Sequence, residues 1–303
     1  MGQVNSEHKC GYVTILGRPN VGKSTLLNRL MDQKLSIISR KPQTTRVHML
    51  GIKNQKEYQA IYIDTPGIQQ EYDSPLHKHM NAEAKNSLEG VNVILFMIES
   101  LKWTKPDERI FNLISKYKQK KILLINKIDR NKTKSDLLPF LKSLSERVDG
   151  MDILPVSAKN GTNIDTLEEL VSAALPVSPP LFEEEYVTNR NKKFFASEYI
   201  REKLINRLSD EIPYRLAVTI DEFEEETDII KIKATIWVEG DGQKNIVIGK
   251  NGSILKTAGE AARKDMEILY EKKVYLNTWV KVKKNWTQID SSLELFGLVN
   301  NDV

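Results

Sequence analysis

The 303-residue chain is 40% apolar and 28% charged, the balance of a globular protein long enough for two cores, and its net charge of +4 marks no overall polyanion binder. One cysteine, Cys10, excludes an internal disulfide framework and suits a reducing compartment, and no apolar run reaches the length of a membrane span. Residues 1–9 are polar and lack the apolar core of a signal peptide; Met1-Gly-Gln-Val-Asn-Ser6 fits the myristoylation pattern, but a disordered polar tail is the preferred reading.

In chain order, strand-like runs at 11–17, 46–53, 57–64, 91–98, 121–126 and 152–156 alternate with helix-like segments near 23–32, 75–88, 106–118, 135–147 and 163–174. Such alternation predicts an α/β domain around a mostly parallel sheet. The runs at 91–98, apolar but for Asn92, and at 122–125 read as buried on both faces, as central parallel strands are. Only a few residues separate 46–53 from 57–64, too few for a helical crossover, so these two should form an antiparallel hairpin at one edge.

The first strand runs into Gly17-Arg18-Pro19-Asn20-Val21-Gly22-Lys23-Ser24, followed by Thr25 and a helix-like segment. This is the phosphate-binding loop in its strand–loop–helix context. The glycines let backbone N–H groups face phosphate oxygens, the helix N-terminus adds favourable charge, Lys23 can reach the outer phosphates, and Ser24 can ligate Mg²⁺. The strand at 57–64 ends in Asp64-Thr65-Pro66-Gly67, where Asp64 can hold the Mg²⁺ shell and the Gly67 N–H can face the terminal phosphate. The strand at 121–126 ends in Asn126-Lys127-Ile-Asp129. A carboxylate at Asp129 matches the two donors of guanine and leaves adenine unmatched. Asn126 can tie the loops together, the Lys127 stem can cover the base, and Ser157-Ala158-Lys159 can offer a backbone N–H to the guanine carbonyl.

Pro176-Val-Ser-Pro-Pro180 and Glu183-Glu-Glu185 break the alternation and read as a linker. Beyond it the pattern becomes helix (193–209), strand (214–223), strand (228–239), short helix, turn, long helix (253–271), strand (273–283) and a final helix (286–297). Residues 231–286 hold 12 Lys/Arg against 6 Asp/Glu, a basic stretch that suits an anionic partner or a solvated face. Within it, Gly249-Lys250-Asn251-Gly252 between two helices is the loop form that clamps a single-stranded nucleic-acid backbone. Ile246 and Ile248 either line a base groove or pack beneath the helix, and Lys281, Lys283 and Lys284 either extend a basic surface or solvate a strand end. His8, His48, His77 and His79 show no metal-ligand spacing; His77 and His79 read as exposed.

Together, Gly17–Ser24, Asp64–Gly67, Asn126–Asp129 and Ser157–Lys159 resemble the guanine-nucleotide elements of translation-factor-like GTPases. Pro42-Gln43-Thr44-Thr45-Arg46 resembles switch I, with Thr45, or else Thr44, completing the Mg²⁺ shell. From residue 11 to about 297 the chain resembles bacterial Era-type GTPases: a P-loop G domain (1–178), a linker (179–192) and a smaller α+β type II KH domain (193–303). The resemblance implies GTP/GDP and Mg²⁺ as ligands, with Ser24, Thr45 and Asp64 on the metal and RNA at Ile246, Ile248, Gly249, Lys250, Asn251 and Gly252. It also implies 16S rRNA near its 3′ end and the 30S subunit as partners, a role in small-subunit biogenesis, a cell-cycle link, and a monomer in the cytoplasm with peripheral contact at the inner membrane face. Ile68 stands where Ras-like GTPases carry the glutamine that orients water, so intrinsic hydrolysis should be slow. The catalytic set is then Lys23, Thr45, Gly67 and Asn20, with Asn20 a candidate holder of K⁺ beside the phosphates.

Overall fold

The computed structural model describes residues 8–298 apart from 40, 42–43, 68–73, 132, 134 and 209–211. Met1–Ser6, Pro42, Gln43 and Ile68 therefore lie outside the described residues. The chain divides into two units, one drawn from residues 1–36, 45–72 and 80–189, the other from 37–44, 73–79 and 190–303.

The first unit is built on β1 (Lys9–Leu16), β2 (Met49–Asn54), β3 (Tyr58–Asp64), β4 (Val93–Glu99), β5 (Lys120–Asn126) and β6 (Asp152–Pro155), in the order β2-β3-β1-β4-β5-β6. All neighbours are parallel except β2 and β3, the expected edge hairpin. The expected strand at 46–53 pairs only from Met49, opposite Asp64. Its helices are α1 (Lys23–Leu30), α3 (Lys105–Ile114), α4 (Leu137–Arg147) and α5 (Ile164–Ala174), while α2 (Pro75–Asn86) is divided between the two units. Phe96, Ile98, Leu123 and Ile125 are fully buried with Ile110 and Leu144 of the covering helices, which explains the apolar runs of the central strands. At the start of α3, Thr104 and Asp107 cap each other reciprocally, Thr104 N donating to Asp107 Oδ2 at 3.0 Å.

Much of the segment expected as linker is laid along the β2–β3–β1 side as far as Asn189. Val187 O accepts from Ile52 N at 2.8 Å, and Gln59 Oε1 accepts from Leu181 N and Phe182 N at 2.8 and 3.0 Å. The bond to Ile52 covers part of β2, an edge strand that would otherwise present unpaired backbone groups, and the Gln59 side chain tethers the segment to β3.

The second unit holds α6 (Lys192–Ile205), β7 (Ala217–Glu225), β8 (Ile229–Val238), α7 (Asp241–Ile248), α8 (Ser253–Tyr270), β9 (Lys273–Val282) and α9 (Asp290–Leu295). Its sheet runs β7-β8-β9, with β8 antiparallel to β7 and parallel to β9, the type II order expected. Ala196, Ile200, Ile232, Ile236, Ala258, Ala262 and Met266 form its core between helices and sheet. Asn191 Oδ1 caps α6 by accepting from Phe194 N at 2.9 Å. Residues 37–44 belong to this unit: Ile38 N donates to Glu202 Oε1 at 2.9 Å, Lys41 Nζ to Leu208 O at 2.6 Å, and the Arg201 guanidinium to Thr44 O.

Two expectations are corrected here. The strand expected from 214 starts at Ala217, after a 3₁₀ turn at Ile212–Arg215. The final helix expected over 286–297 is instead a 3₁₀ turn, Trp286–Gln288, then α9, because Ile289 adopts extended backbone with φ −121°. Buried Trp286 anchors that turn by donating from Nε1 to Arg215 O at 3.3 Å. Among the described residues no helix is long and apolar enough to cross a membrane, and no cluster of three or more His, Cys, Asp or Glu could hold a metal.

Candidate nucleotide site and nucleic-acid groove

The polar residues singled out in the first half of the chain converge at the carboxyl ends of β1, β3, β4, β5 and β6, where open α/β sheets hold ligands. The loop from Gly17 to Gly22 joins β1 to α1. Gly22 takes φ 112°, and a Cβ there would stand 2.3 Å from Asn126 Nδ2, so the position requires glycine twice over. The Asn126 amide fills that space: Nδ2 donates to Val21 O at 2.7 Å, and Oδ1 accepts from Ala158 N at 3.0 Å. One side chain thus ties the phosphate loop to the Ser157–Lys159 loop, as the sequence led us to expect.

Ser24 Oγ lies 2.9 Å from Thr45 Oγ1 and donates to Asp64 Oδ2 at 3.0 Å. The Thr44 hydroxyl instead donates to Lys41 O at 2.7 Å, so it is Thr45 that comes to Ser24. Asp64 is fully buried; its Oδ2 also accepts from Ser36 Oγ at 2.6 Å, and its Oδ1 has no hydrogen-bond partner. Burial pushes the Asp64 carboxyl up, against hydrogen bonds from Ser36 and Ser24 and the charge of Lys23. The Ser24 and Thr45 hydroxyls, gathered beside a carboxylate with one oxygen still unsatisfied, form a donor set suited to a hard cation such as Mg²⁺. Buried Lys23 donates to Gly17 O at 3.0 Å and Arg18 O at 3.2 Å, and desolvation lowers its ammonium to about 8. Thr65 Oγ1 donates to Ile15 O at 2.8 Å, pinning the Asp64–Gly67 turn to β1.

At the opposite end, Ser157 Oγ donates to Asp129 Oδ1 at 2.6 Å. Lys127 has φ 68°, and its Nζ donates to Asn20 O at 2.6 Å and lies 3.3 Å from Glu99 Oε2. Asn20 is itself left-handed at φ 64°. The groups that hold these residues in place carry no motif. Glu99 ends β4 and also accepts from Arg18 Nη2 at 3.2 Å, while Arg18 Nε lies 3.3 Å from the buried Asp107. Burial alone would raise the Glu99 carboxyl, but hydrogen bonds from Lys102 and Lys127 outweigh it and bring it to about 2. On α1, Arg29 donates to Ala158 O and Lys159 O at 3.3 and 2.6 Å, and Asn28 Oδ1 accepts from Leu35 N and Ser36 N at 2.9 and 2.7 Å. None of these follows a spacing rule: Glu99 and Arg29 act on loops distant in sequence, and Asn28 fixes the chain just beyond α1 at Leu35 and Ser36.

In the second unit, Gly249 and Gly252 both take φ 75° and Asn251 takes φ 51°. A Cβ at Gly249 would meet the Ile254 side chain at 2.7 Å, so the turn into α8 is closed to any larger residue. Beside this loop lies a groove of 330 Å³ lined by Gly252, Leu255, Lys256, Gly259 and Arg263 of α8 and its entry, with Leu276 and Thr278 of β9 opposite. Leu255, Gly259 and Arg263 recur at intervals of four and so share one helix face. Gly259 leaves that face bare: its nearest neighbour would be Leu276, 4.0 Å from an added Cβ. Ile248 packs against the core, whereas Ile246 is 46% exposed on α7; neither lines this groove, whose apolar walls are Leu255 and Leu276. Lys250 is exposed at the loop.

The profile of the 50S ribosome-binding GTPase family matches residues 12–127, and that of the KH domain matches residues 211–287. GTPase Era of Pseudomonas aeruginosa strain LESB58 is 45% identical over 289 residues, 95% of each chain. GTPase Era of Ectopseudomonas mendocina is 46% identical over 292 residues, covering 96% of this chain and 98% of that protein. Among solved structures, an Aquifex aeolicus Era variant bound to GDP·AlF4⁻ superposes with a TM-score of 0.93 at 39% identity, covering 96% of this chain and all (100%) of that one. Era in complex with MgGDPNP and nucleotides 1506–1542 of 16S ribosomal RNA superposes with a TM-score of 0.94 at 39% identity, covering 97% and 100%.

Proposed function

The chain belongs to the Era family of GTPases, and from that premise we propose that its GTP cycle times its hold on 16S rRNA near the 3′ end during maturation of the 30S subunit. The observation that carries this reading is the pairing, in one chain, of the Ser24–Thr45–Asp64 cluster with the groove beside Gly249–Gly252. Ser24, Thr45 and Asp64 would hold Mg²⁺, which when bound neutralises charge on the β- and γ-phosphate oxygens. Lys23 binds the same phosphates from the loop, the Gly67 N–H faces the terminal one, and Asp129, Lys127 and a backbone N–H of the Ser157–Lys159 loop bind guanine. With Ile68 in place of a polar side chain, no side chain at that position orients water and intrinsic turnover is slow. Asn20 would hold K⁺ beside the phosphates, and the ion would supply charge stabilisation that otherwise needs an arginine.

The RNA end of the cycle uses Lys250 and the Gly249–Gly252 backbone on phosphates, and Leu255, Gly259 and Leu276 against bases. Thr45 adjoins Thr44, whose carbonyl accepts from Arg201, so ordering of Thr45 by GTP pulls on the segment that Glu202 and Arg201 hold. The cytoplasm, a peripheral membrane contact, a cell-cycle link and a monomeric state complete this reading. GTP hydrolysis titrated with the 3′ end of 16S rRNA tests it. Turnover should rise with RNA and vanish in Lys23→Ala. Turnover that neither responds to RNA nor depends on Lys23 overturns it.

A further inference from the structure

The edge strand β9 alternates strictly. Val274 and Val280 are buried, with Leu276 and Val282 packed against the core, while Lys273, Tyr275, Trp279 and Lys281 stand on the opposite face. Tyr275 is 57% and Trp279 42% exposed, an unusual display for two large aromatic residues on one sheet face. They are four residues apart, about 13 Å along a strand, so they address two separate positions rather than one. Asn277 lies between them on the same face. One end of the face is closed: Trp237, opposite Lys281 in register, packs against Phe296 with ring centroids 5.6 Å apart. Tyr275 and Trp279 lie beyond that cover.

The charge on this face is graded across the sheet. Carboxylates sit on the far strand, β7, where Glu222 pairs with Lys233 at 2.5 Å and Asp221 Oδ2 accepts from Thr235 Oγ1 at 2.6 Å, while Glu224 stands exposed opposite Lys231. Lys231 pairs with Glu226 at 2.5 Å. Lys273 and Lys281, on the edge strand itself, pair with no carboxylate among the described residues; Lys281 Nζ lies 5.7 Å from the Trp237 ring. Aromatic faces beside uncommitted lysines fit single-stranded nucleic acid, whose bases stack and whose phosphates need cations. The surface is also continuous with the groove. Arg263 lines the groove and also a second hollow of 1050 Å³, whose other walls include Lys272, Lys273 and Tyr275. Two acidic residues of that hollow, Asp228 and Glu271, flank the path, and a third, Glu267, is taken up by Arg263 at 2.5 Å.

We propose that RNA leaving the groove crosses the β9 edge and lies on the outer sheet face, with bases stacked on Tyr275 and Trp279 and phosphates at Lys273 and Lys281. The proposal rests on the groove being the RNA site and extends it to a second surface on the other side of the same strand. It implies a binding footprint longer than the four nucleotides that a Gly-x-x-Gly loop clamps.

The test uses the full chain and two labelled RNAs from the 16S 3′ end, one of about four nucleotides and one of about twelve, titrated by fluorescence anisotropy. Tyr275→Leu and Trp279→Leu should each weaken the longer RNA about tenfold, leave the shorter one unchanged, and leave the circular dichroism spectrum intact. Trp279→Phe should restore most of the affinity. Full affinity for the longer RNA in the double variant overturns the proposal, as does an equal loss on both RNAs, which would mark a structural role. A change of oligomeric state with RNA affinity unchanged assigns the face to a second copy of the chain and likewise overturns it. Lys250→Asp is the control for the groove and should weaken both RNAs; if it weakens neither, the groove reading is the one that has failed.

Discussion

The Ser157 hydroxyl donates to Asp129 Oδ1 at 2.6 Å, joining the loop after β6 to the loop after β5. The bond holds the carboxylate in one orientation, and a fixed orientation is what selection of guanine by Asp129 would require.

Asp129→Asn should therefore lower GTP affinity by about 10²–10³, since guanine is left with an unmatched donor. It should raise affinity for xanthosine triphosphate, whose 2-oxo group accepts from the new amide. Ser157→Ala should weaken GTP less, by about tenfold, without changing the preference. Competition of the two nucleotides against a fluorescent GDP reads both effects, and an unchanged guanine preference in Asp129→Asn would place base selection elsewhere.

Glu99 links Arg18 of the phosphate loop to Lys127 beside the base, so Glu99→Gln should speed GDP release and lower stability by about 1 kcal/mol at neutral pH. The pH sign follows from a carboxyl brought down to about 2 from its ordinary 4.5. Such a group stabilises fully above the ordinary value and loses its contribution as pH falls through the lowered one. The stability gap between wild type and variant should stay constant from about pH 7 to about pH 5 and narrow toward about pH 3. A gap that widens on acidification contradicts this account; chemical unfolding at each pH measures it.

How much of this was legible in the sequence depended on locality. The phosphate loop could be read because one apolar strand, two glycines and one helix start carry it within a single stretch. The roles of Asn126 and Asp129 could be read because both sit at the end of one apolar strand. Glu99 and Arg29 could not, because each acts on a loop that only the parallel sheet brings near; Asn28 could not, because its bonds to Leu35 and Ser36 depend on how the chain turns after α1. The groove beside Gly249–Gly252 was half legible. Gly249 and Gly252 announce a turn, but Leu255, Gly259 and Arg263 look like any amphipathic helix face until β9 is known to pair with β8 and stand opposite them. Ile246 and Ile248 were drawn toward the groove by nearness to the glycines, whereas helical geometry puts Ile248 against the core. Residues 176–189 read as linker because prolines and acids end the preceding helix, yet the Gln59 side chain and the Ile52 N–H hold them along the sheet.

If Asn20 holds K⁺ at the phosphates, turnover should be several-fold faster in K⁺ than in Na⁺ at equal ionic strength, and Asn20→Ala should erase the difference. Its left-handed backbone would still be needed for the loop, so Asn20→Gly should keep GDP affinity while losing the K⁺ response. Phosphate release in the two salts reads this directly, and equal rates in wild type would remove K⁺ from the mechanism.

Arg263, which lines the groove and pairs with Glu267 at 2.5 Å, and Lys250, exposed at the loop beside it, should each contribute about one phosphate contact. Arg263→Ala should weaken single-stranded RNA and flatten the dependence of log affinity on log salt by about 0.7. A loss of affinity with an unchanged salt slope would mean that Arg263 shapes the groove by packing and not by charge.

The central claim is that nucleotide state sets the grip on RNA, and the most direct test is the affinity of the full chain for the 16S 3′-terminal RNA with GDP and with a non-hydrolysable GTP analogue, both in Mg²⁺. The account predicts tighter binding with the analogue, by about 5-fold or more, and by linkage an equal RNA-induced preference for the analogue over GDP. Identical RNA affinity in the two states would contradict it.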